Sequence, residues 1–190
     1  MEELWQLFDD QGRPLESKGA TKNDVYSKAL LHAAAHIWIW RRNGSEIEIL
    51  LQKRALDKRT WPGRYDISAA GHIDLGESEL EAAIRETTEE IGHTPDLSRL
   101  KFIGAHRCYD VAPDKSWTEN EFRFVYLLEE TPDMRFTLDD GEVESVEWKD
   151  RAIVKQEIAN DKAYDRYVPH GDAYFAILFE ALERIADQPV

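Results

Sequence analysis

Three acidic residues, Glu86, Glu89 and Glu90, lie within five consecutive positions of a predicted helix. Ser78, with a glutamate three residues later, forms a capping box that predicts the helix start, and Gly92 predicts its end. On such a helix the three carboxylates share an arc about 100° wide, where like charges repel by roughly a few tenths of a kcal/mol per pair. A hard divalent cation would remove that repulsion. A solvated acidic face is the ordinary alternative.

A longer pattern around these glutamates distinguishes the two interpretations. Its order is Gly71, five residues, Glu77, seven residues, Arg85 and Glu86, two residues, Glu89 and Glu90, one residue and Gly92. Seven specified residues at this spacing coincide by chance on the order of 10⁻⁸ per starting position at average residue usage. The pattern resembles the Nudix box, which is the signature of the Nudix hydrolase family.

The resemblance implies an α+β fold, namely an α/β/α sandwich with a central mixed β-sheet and the box as a loop–helix–loop. It also implies Mg²⁺-dependent cleavage of a phosphoanhydride, with Mn²⁺ as the substitute metal, usually in a nucleoside diphosphate linked to another group. By position, the expected metal ligands are Glu86, Glu89, Glu90 and the carbonyl of Gly71. Glu77 and Arg85 are expected to be structural partners. Thr87 and His93 stand where the family usually has aliphatic residues, which concerns packing.

The resemblance extends to one branch of the family. Residues 50–77, LLQKRALDKRTWPGRYDISAAGHIDLGE, are similar to isopentenyl-diphosphate isomerases, which hold a metal with histidines and a glutamate pair. The matching positions are His32, His72, Glu119 and Glu121 for the metal, and Arg54 and Lys58 for the diphosphate. The catalytic cysteine of that branch is replaced by Ala70, and no histidine lies near Val25, where a further ligand is expected.

Ala70 favours hydrolysis over isomerisation. The isomerase reaction needs an acid and a base at carbon, and alanine can neither donate nor accept a proton. The single cysteine, Cys108, matches no motif position. A true isomerase and a catalytically silent binding module are the alternatives, and the intact glutamate set argues against the second.

The resemblance also assigns roles that the residue pattern leaves open. The family takes its general base from the box helix or from a loop, so that Glu86, Glu121 and Glu142 compete, and we predict catalytic roles for Glu86, Glu89 and Glu121. The predicted substrate contacts are Arg54, Lys58, His72 and Glu142, with Lys53 and Arg59 as further candidate phosphate contacts and Trp117 or Tyr109 in a predicted loop over 108–118. Whether His32, Glu119 and Glu121 form a second metal site stays open.

Composition limits the class of protein. Lys and Arg number 24 against 38 Asp and Glu, a net charge of −14, which argues against binding to nucleic acid or an anionic membrane. The chain is 42% hydrophobic, enough for a core, and one cysteine fits a reducing compartment. The first residues lack signal-peptide features, and the apolar run over 29–40 is too short to span a bilayer. We therefore expect a cytoplasmic enzyme with a small-molecule diphosphate substrate, and, by family habit, a homodimer.

The predicted elements position these groups in one domain over 1–190. A hairpin over 3–8 and 13–16 belongs to an N-terminal extension, residues 1–28, and a helical segment covers 151–190. Strands are predicted over 29–40, 46–52, 67–70, 101–107, 121–128 and 143–148, with helices from Ser78 and over 173–185. On the first of these helices, Leu80, Ala83, Ile84, Thr87 and Ile91 are expected to face the core.

Overall fold

The computed structural model describes residues 3–112, 116–131, 134–138, 141–162 and 165–187. The strands are β1 Trp5–Phe8, β2 Pro14–Ala20, β3 His32–Asn43, β4 Glu46–Arg54, β5 Tyr65–Asp66, β6 Ala69–His72, β7 Leu100–Val111, β8 Thr118–Glu129 and β9 Val143–Asp150. The helices are α1 Lys22–Lys28, α2 Glu79–Ile91, α3 Arg151–Asn160 and α4 Asp172–Ala186, and a 3₁₀ turn covers Leu97–Arg99. None of the described helices is long and apolar enough to cross a membrane.

Strand β3 is the centre of a mixed sheet. It pairs antiparallel with β1, β4 and β6 and parallel with β8, while β7 extends the sheet beyond β8 and β9 beyond β4. Because other elements cover both faces of the sheet at β3, this strand is buried along most of its length. Its sequence is accordingly a nearly continuous apolar run. The predicted mixed sheet is confirmed.

Helices cover both faces of this sheet. Since strand side chains alternate, Trp38 and Trp40 of β3 pack into the core beneath α4, whereas Ile37 and Ile39 pack into the core beneath α2. Val154 of α3 joins the α4 side. The arrangement is therefore the expected α/β/α sandwich, with the box helix α2 on the opposite face of the sheet from α3 and α4.

The ends of α2 agree with the predicted signals. Ser78 and Glu81 form the reciprocal capping box, and Gly92 ends the helix with φ 67°, a conformation that glycine adopts without strain. The predicted inner face is wrong in part. Ala82 and Glu90 are buried, while Leu80 is exposed. The small alanine side chains let this side of the helix lie close to the sheet, and Leu80 lies outside the contact face.

Three further predictions about elements need correction. The loop expected over 108–118 is shorter, since Cys108 to Val111 continue β7 and pair with β8. The strand expected from Ala29 begins at His32, because Ala29 ends α1, a short helix that the sequence analysis missed. Of the strand expected over 67–70, only Ala69 and Ala70 lie in a strand, as the start of β6, and the short strand β5 ends at Asp66, just before the predicted range.

Candidate active site

Glu86 of α2 lies directly against the backbone of β6 at Gly71. A Cβ atom placed on Gly71 would lie 1.9 Å from Glu86 Cδ, far inside van der Waals contact. Any side chain at position 71 would therefore displace the carboxylate. Glycine here leaves room for the close approach of a carboxylate and does not serve a turn, which agrees with its place at the head of the motif.

Arg85 joins the loop before α2 to the carboxylates on the helix. Its Nε and Nη2 donate to the two oxygens of Glu77, each at 2.9 Å, and Nη2 also donates to the His72 carbonyl at 2.9 Å. The remaining nitrogen, Nη1, donates to Glu86 at 2.6 Å and to Glu89 at 3.3 Å. A bidentate pair of this kind fixes direction as well as charge. The contacts agree with a structural role for Arg85 and Glu77.

Glu90 is a buried carboxyl group held by neutral donors. Its Oε2 accepts from Gln52 Nε2 at 2.9 Å and from the Ala70 amide at 3.1 Å. Burial and then the nearby charge of Glu86 raise its pKa to about 8. Burial also raises the pKa of Glu86, whereas Glu89 is exposed. Bringing a divalent cation to this pair would favour both anionic forms.

The three box glutamates fit a divalent cation by chemistry, but their side chains do not converge as placed. Among the described residues they do not bring three ligand atoms within 4.8 Å of one another; that arrangement occurs in a second group, His32, His72 and Glu121. Oxygen-only ligands of the box suit Mg²⁺, whereas two imidazoles with a carboxylate suit Zn²⁺, Mn²⁺ or Fe²⁺. The chain thus carries two candidate metal-binding groups of different character.

Strand pairing creates the second group, which we call the histidine cluster and define as His32, His72, Glu119 and Glu121. His32 lies opposite Glu121 where β3 pairs with β8, and β6 places His72 beside them. The Nε2 atoms of His32 and His72 lie 3.7 and 3.5 Å from Glu121 Oε1, and Glu119 Oε1 lies 3.1 Å from His32.

The ring nitrogens of His32 have distinct roles. Nδ1 lies 3.1 Å from the Leu30 carbonyl oxygen, which only an N–H can satisfy, so neutral His32 presents the Nε2 lone pair to the cluster. Nε2 and Glu119 Oε1 are both buried, lie 3.1 Å apart and have no further hydrogen-bond partner. Either a proton shared between these two atoms or a metal ion bound by both would satisfy them.

Trp5 holds the histidine cluster from the N-terminal extension. Its ring stacks on His72 with centroids 3.5 Å apart and an interplanar angle of 9°, and lies 5.3 Å from the His32 ring. Burial lowers the pKa of His72 to about 3. Burial acts in the same direction on His32, but the adjacent Glu119 and Glu121 carboxylates outweigh it and raise that pKa.

A partly buried chain of hydrogen bonds and ion pairs runs from the histidine cluster to the basic loop after β4. Arg123 Nε donates to Glu121 at 2.8 Å, and its Nη1 donates to His170 Nδ1 at 3.4 Å. His170 Nε2 donates to Asp66 at 2.7 Å, and Arg54 Nη1 donates to the other Asp66 oxygen at 3.0 Å. Burial opposes the ionised form of Glu121, yet Arg123 and the histidines hold its pKa at about 2.

The sequence analysis missed the interior of this chain. Arg123 carries a weak signal, because it shares a strand face with Glu121, two residues away. Asp66 and His170 carry none, since they lie 104 residues apart and meet only in the fold.

The other predicted contacts are distributed as follows. Arg54 is directed to Asp66 and to the Thr60 carbonyl, and Lys58 pairs with Glu142, so none of these charged groups is free. Tyr109 is an exposed residue of β7. Trp117 lies just before β8 and meets the edge of Tyr26.

Strand β6 joins the two metal-binding groups, since Gly71 backs Glu86 and the next residue, His72, belongs to the histidine cluster. Ala70, the residue before Gly71, packs against the core beneath α4, and its side chain has no proton to donate. Cys108 lies opposite Glu121 in the β7–β8 pairing, but burial raises its thiol pKa to about 12. The protein is therefore an α/β/α sandwich in which the glutamates of α2 and the residues of β6 form one candidate active site.

Comparisons with known proteins identify this class. The NUDIX domain family model matches residues 30–170, most of the chain. The chain belongs to the NUDIX family and is an enzyme of the Nudix hydrolase group. It is 33% identical over 185 residues to Nudix hydrolase 3 of Arabidopsis thaliana, covering 93% of this chain but only 23% of that protein.

Two further similarities place it within the family. It is 32% identical over 151 residues to the isopentenyl-diphosphate Delta-isomerase of Escherichia coli, covering 78% of this chain and 77% of the isomerase. The crystal structure of DR0079 from Deinococcus radiodurans superimposes with a TM-score of 0.64 at 16% identity, over 93% of this chain and 98% of that one. The structural likeness supports the fold, and the sequence likenesses agree with a Nudix protein similar to the isomerases.

The raised pKa of Glu90 predicts a pH-dependent stability in the metal-free protein. The pKa of this carboxyl group rises from 4.5 to about 8 on folding. Such a group contributes its full stabilisation below pH 4.5, and this contribution is lost as the pH rises from 4.5 to about 8. Glu90→Gln keeps an oxygen for both hydrogen bonds and has no charge to bury. We expect it to be more stable than wild type at pH 8 in EDTA, by on the order of a few kcal/mol.

Urea unfolding of both proteins in EDTA between pH 4.5 and pH 8 would measure this difference. Exposed Glu89→Gln is the matched control and should follow wild type. Parallel stability curves for wild type and Glu90→Gln would show that Glu90 is not held as a buried carboxyl group.

The partly buried chain predicts a strong and repairable loss of stability. Arg123→Met leaves Glu121 as a buried, uncompensated carboxylate, and removing one partner of such a pair costs about 3–5 kcal/mol. Adding Glu121→Gln should recover part of the loss, because it removes the stranded charge. Arg166→Met, which breaks an exposed ion pair with Glu157, should cost about 1 kcal/mol or less. Denaturant unfolding at neutral pH measures all four proteins, and a double variant no more stable than Arg123→Met would contradict the charge explanation.

Proposed function

We propose that this protein is a Mg²⁺-dependent hydrolase that cleaves the phosphoanhydride bond of a nucleoside diphosphate linked to another group. The observation that carries the proposal is the packing of the Glu86 carboxylate against the Gly71 backbone, with the buried Glu90 carboxyl beside it. This arrangement is costly without a cation, because burial disfavours the charged forms of both carboxyl groups. Membership of the NUDIX family supports the same reading.

In this proposal Glu86, Glu89 and Glu90, with the Gly71 carbonyl, hold the metal. A bound Mg²⁺ would neutralise developing charge on phosphate oxygens and acidify water. Arg85 keeps Glu86 and Glu89 oriented while its other nitrogens remain on Glu77 and the His72 carbonyl.

The remaining predicted roles follow from where the side chains lie. Glu121 keeps one oxygen on Arg123 and directs the other toward the histidines, so it could take a proton on that side only. Arg54 and Lys58 are proposed to meet the diphosphate by exchanging their present carboxylate partners for phosphate oxygens, which Arg recognises in the same forked geometry. Glu142 would then be released from Lys58 and is the competing base.

Isomerisation of a prenyl diphosphate is the second candidate, and the histidine cluster favours it. That cluster matches the metal-binding positions of the isomerase branch, and an isomerase is among the similar proteins. Ala70 counts against it, because the reaction needs a proton donor at that position. The buried thiol of Cys108 on β7 is protonated, yet no finding directs it toward a substrate.

The proposed function predicts phosphate-bond cleavage that depends on the box glutamates. The purified chain would be incubated with Mg²⁺ and nucleotide sugars, dinucleoside polyphosphates, nucleoside triphosphates and isopentenyl diphosphate, and the products measured. We expect cleavage of a nucleoside diphosphate derivative, loss of it in EDTA, and a loss on the order of 100-fold or more in Glu86→Gln and Glu89→Gln.

Glu79→Gln, an exposed glutamate in the first turn of the same helix, is the control and should keep wild-type activity. Rearrangement of isopentenyl diphosphate without hydrolysis of any other compound would favour the isomerase. Unchanged rates in both box variants would remove the metal assignment.

A further inference from the structure

A cavity of about 480 Å³ lies beside α1, outside both metal-binding groups. Four separate segments form it: Glu3 before β1, α1 with the residue before it, the basic loop after β4, and the residues just before β8. We call it the α1 pocket and define it by Lys22, Asn23, Tyr26, Arg59 and Trp117. None of these residues belongs to the Nudix box.

Tyr26 forms the wall between the α1 pocket and the histidine cluster. Its ring meets the edge of Trp117 at 6.2 Å on one side, and the His32 ring at 6.2 Å and the Trp5 ring at 5.7 Å on the other. Burial, and then the charges of Glu119 and Glu121, raise the pKa of Tyr26, which agrees with carboxylates directly behind it. A ligand in the pocket would therefore lie one aromatic ring away from the cluster.

Two cations line the pocket and carry no ion pair with any described residue. Lys22 Nζ lies 5.7 Å from the Trp5 ring centroid, and the Arg59 guanidinium lies 5.9 Å from that of Tyr26. The one carboxylate in the lining, Glu3, accepts a hydrogen bond from Trp5 Nε1 at 2.7 Å. The chain as a whole has a net charge of −14, so this pair of cations is a local exception. Such cations are suited to bind an anionic group of a ligand.

The rest of the lining indicates what that anion is attached to. The apolar surface comes from aromatic rings, and the remaining lining side chains are hydroxyls and an amide, with no aliphatic side chain among the described ones. Aromatic rings with hydrogen-bonding groups suit a planar polar ring, because base–aromatic stacking contributes roughly 1–3 kcal/mol. A prenyl chain could form no hydrogen bond with the Asn23 amide or the Ser27 hydroxyl.

We propose that the α1 pocket is the substrate-recognition subsite for the base of a nucleoside diphosphate derivative, with the ring on Trp117 and Tyr26 and the phosphates reached by Lys22 and Arg59. The proposal rests on the proposed function and adds to it, since it names the residues that select the substrate.

Equilibrium binding in EDTA tests the pocket without any turnover. Calorimetric titration of wild type would use ADP, UDP, inorganic pyrophosphate and dimethylallyl diphosphate as probes. We expect the two nucleotides to bind more tightly than the other two ligands. Trp117→Ala should weaken nucleotide binding about 10-fold and leave pyrophosphate unchanged, whereas Lys22→Met and Arg59→Met should weaken nucleotides and pyrophosphate alike.

Two control variants change the same chemistry elsewhere. Phe102→Ala removes an exposed aromatic ring of β7, and Lys28→Met removes a positive charge from α1 that already pairs with Asp24. Both should bind all four ligands as wild type does. Thermal unfolding of each variant confirms that it is folded before its affinity is compared.

The outcomes separate this proposal from the proposed function. Equal binding of nucleotides by wild type and Trp117→Ala, or tighter binding of dimethylallyl diphosphate, would overturn the pocket assignment even if Mg²⁺-dependent hydrolysis is observed. Nucleotide binding that depends on Trp117, in a chain that hydrolyses nothing, would support the pocket and overturn the hydrolase. If both hold, Trp117→Ala should raise KM for the nucleotide substrate and leave kcat close to wild type.

Discussion

The close contact between the Glu86 carboxylate and the Gly71 backbone is the constraint on which the rest of the site depends. It brings an acidic helix face to within contact distance of a buried strand, where carboxylates are poorly solvated. Each neighbouring interaction lowers the cost of that position. Arg85 supplies a positive charge, Gln52 and the Ala70 amide supply donors to Glu90, and the capped ends of α2 keep the helix in register with β6. A side chain at position 71 would displace the Glu86 carboxylate from this contact.

The same strand explains why two metal-binding groups lie side by side. In β6, successive side chains point to opposite faces, so the residue after Gly71 leaves the helix face and enters the histidine cluster with β3 and β8. The Arg85 hydrogen bond to the His72 carbonyl links the groups through the backbone. Beyond the cluster, the Arg123–His170–Asp66 chain balances the charge of Glu121 inside the protein and ends at Arg54 in the basic loop.

What could be predicted from the sequence was local. The capping box, the terminal glycine and the hairpin depend on residues a few positions apart, and all three occur in the structure. Leu80 was misplaced because helical periodicity gives the relative angle of side chains but not which arc faces the sheet, and here the arc with Ala82, Ala83 and Glu90 does. The extension of β7 through Cys108 was missed because its partner strand, and not its own composition, makes it a strand. Lys22, Tyr26, Arg59 and Trp117 come together only through tertiary contacts, although Arg59 and Trp117 were already candidates singly.

The chain shares with the isomerases a metal-binding arrangement and lacks what that reaction needs at carbon. Hydrolysis of a phosphoanhydride requires charge neutralisation and an oriented water, which carboxylates and cations can supply without a proton donor at position 70. Alanine there is compatible with such a reaction and packs against the α4 core instead of facing a substrate. The polar, cation-lined α1 pocket is likewise consistent with hydrolysis and not with isomerisation, because a prenyl chain would need an apolar lining close to β6. The histidine cluster itself is positioned by the register of β3, β6 and β8, so its members stay together as long as the sheet keeps that register.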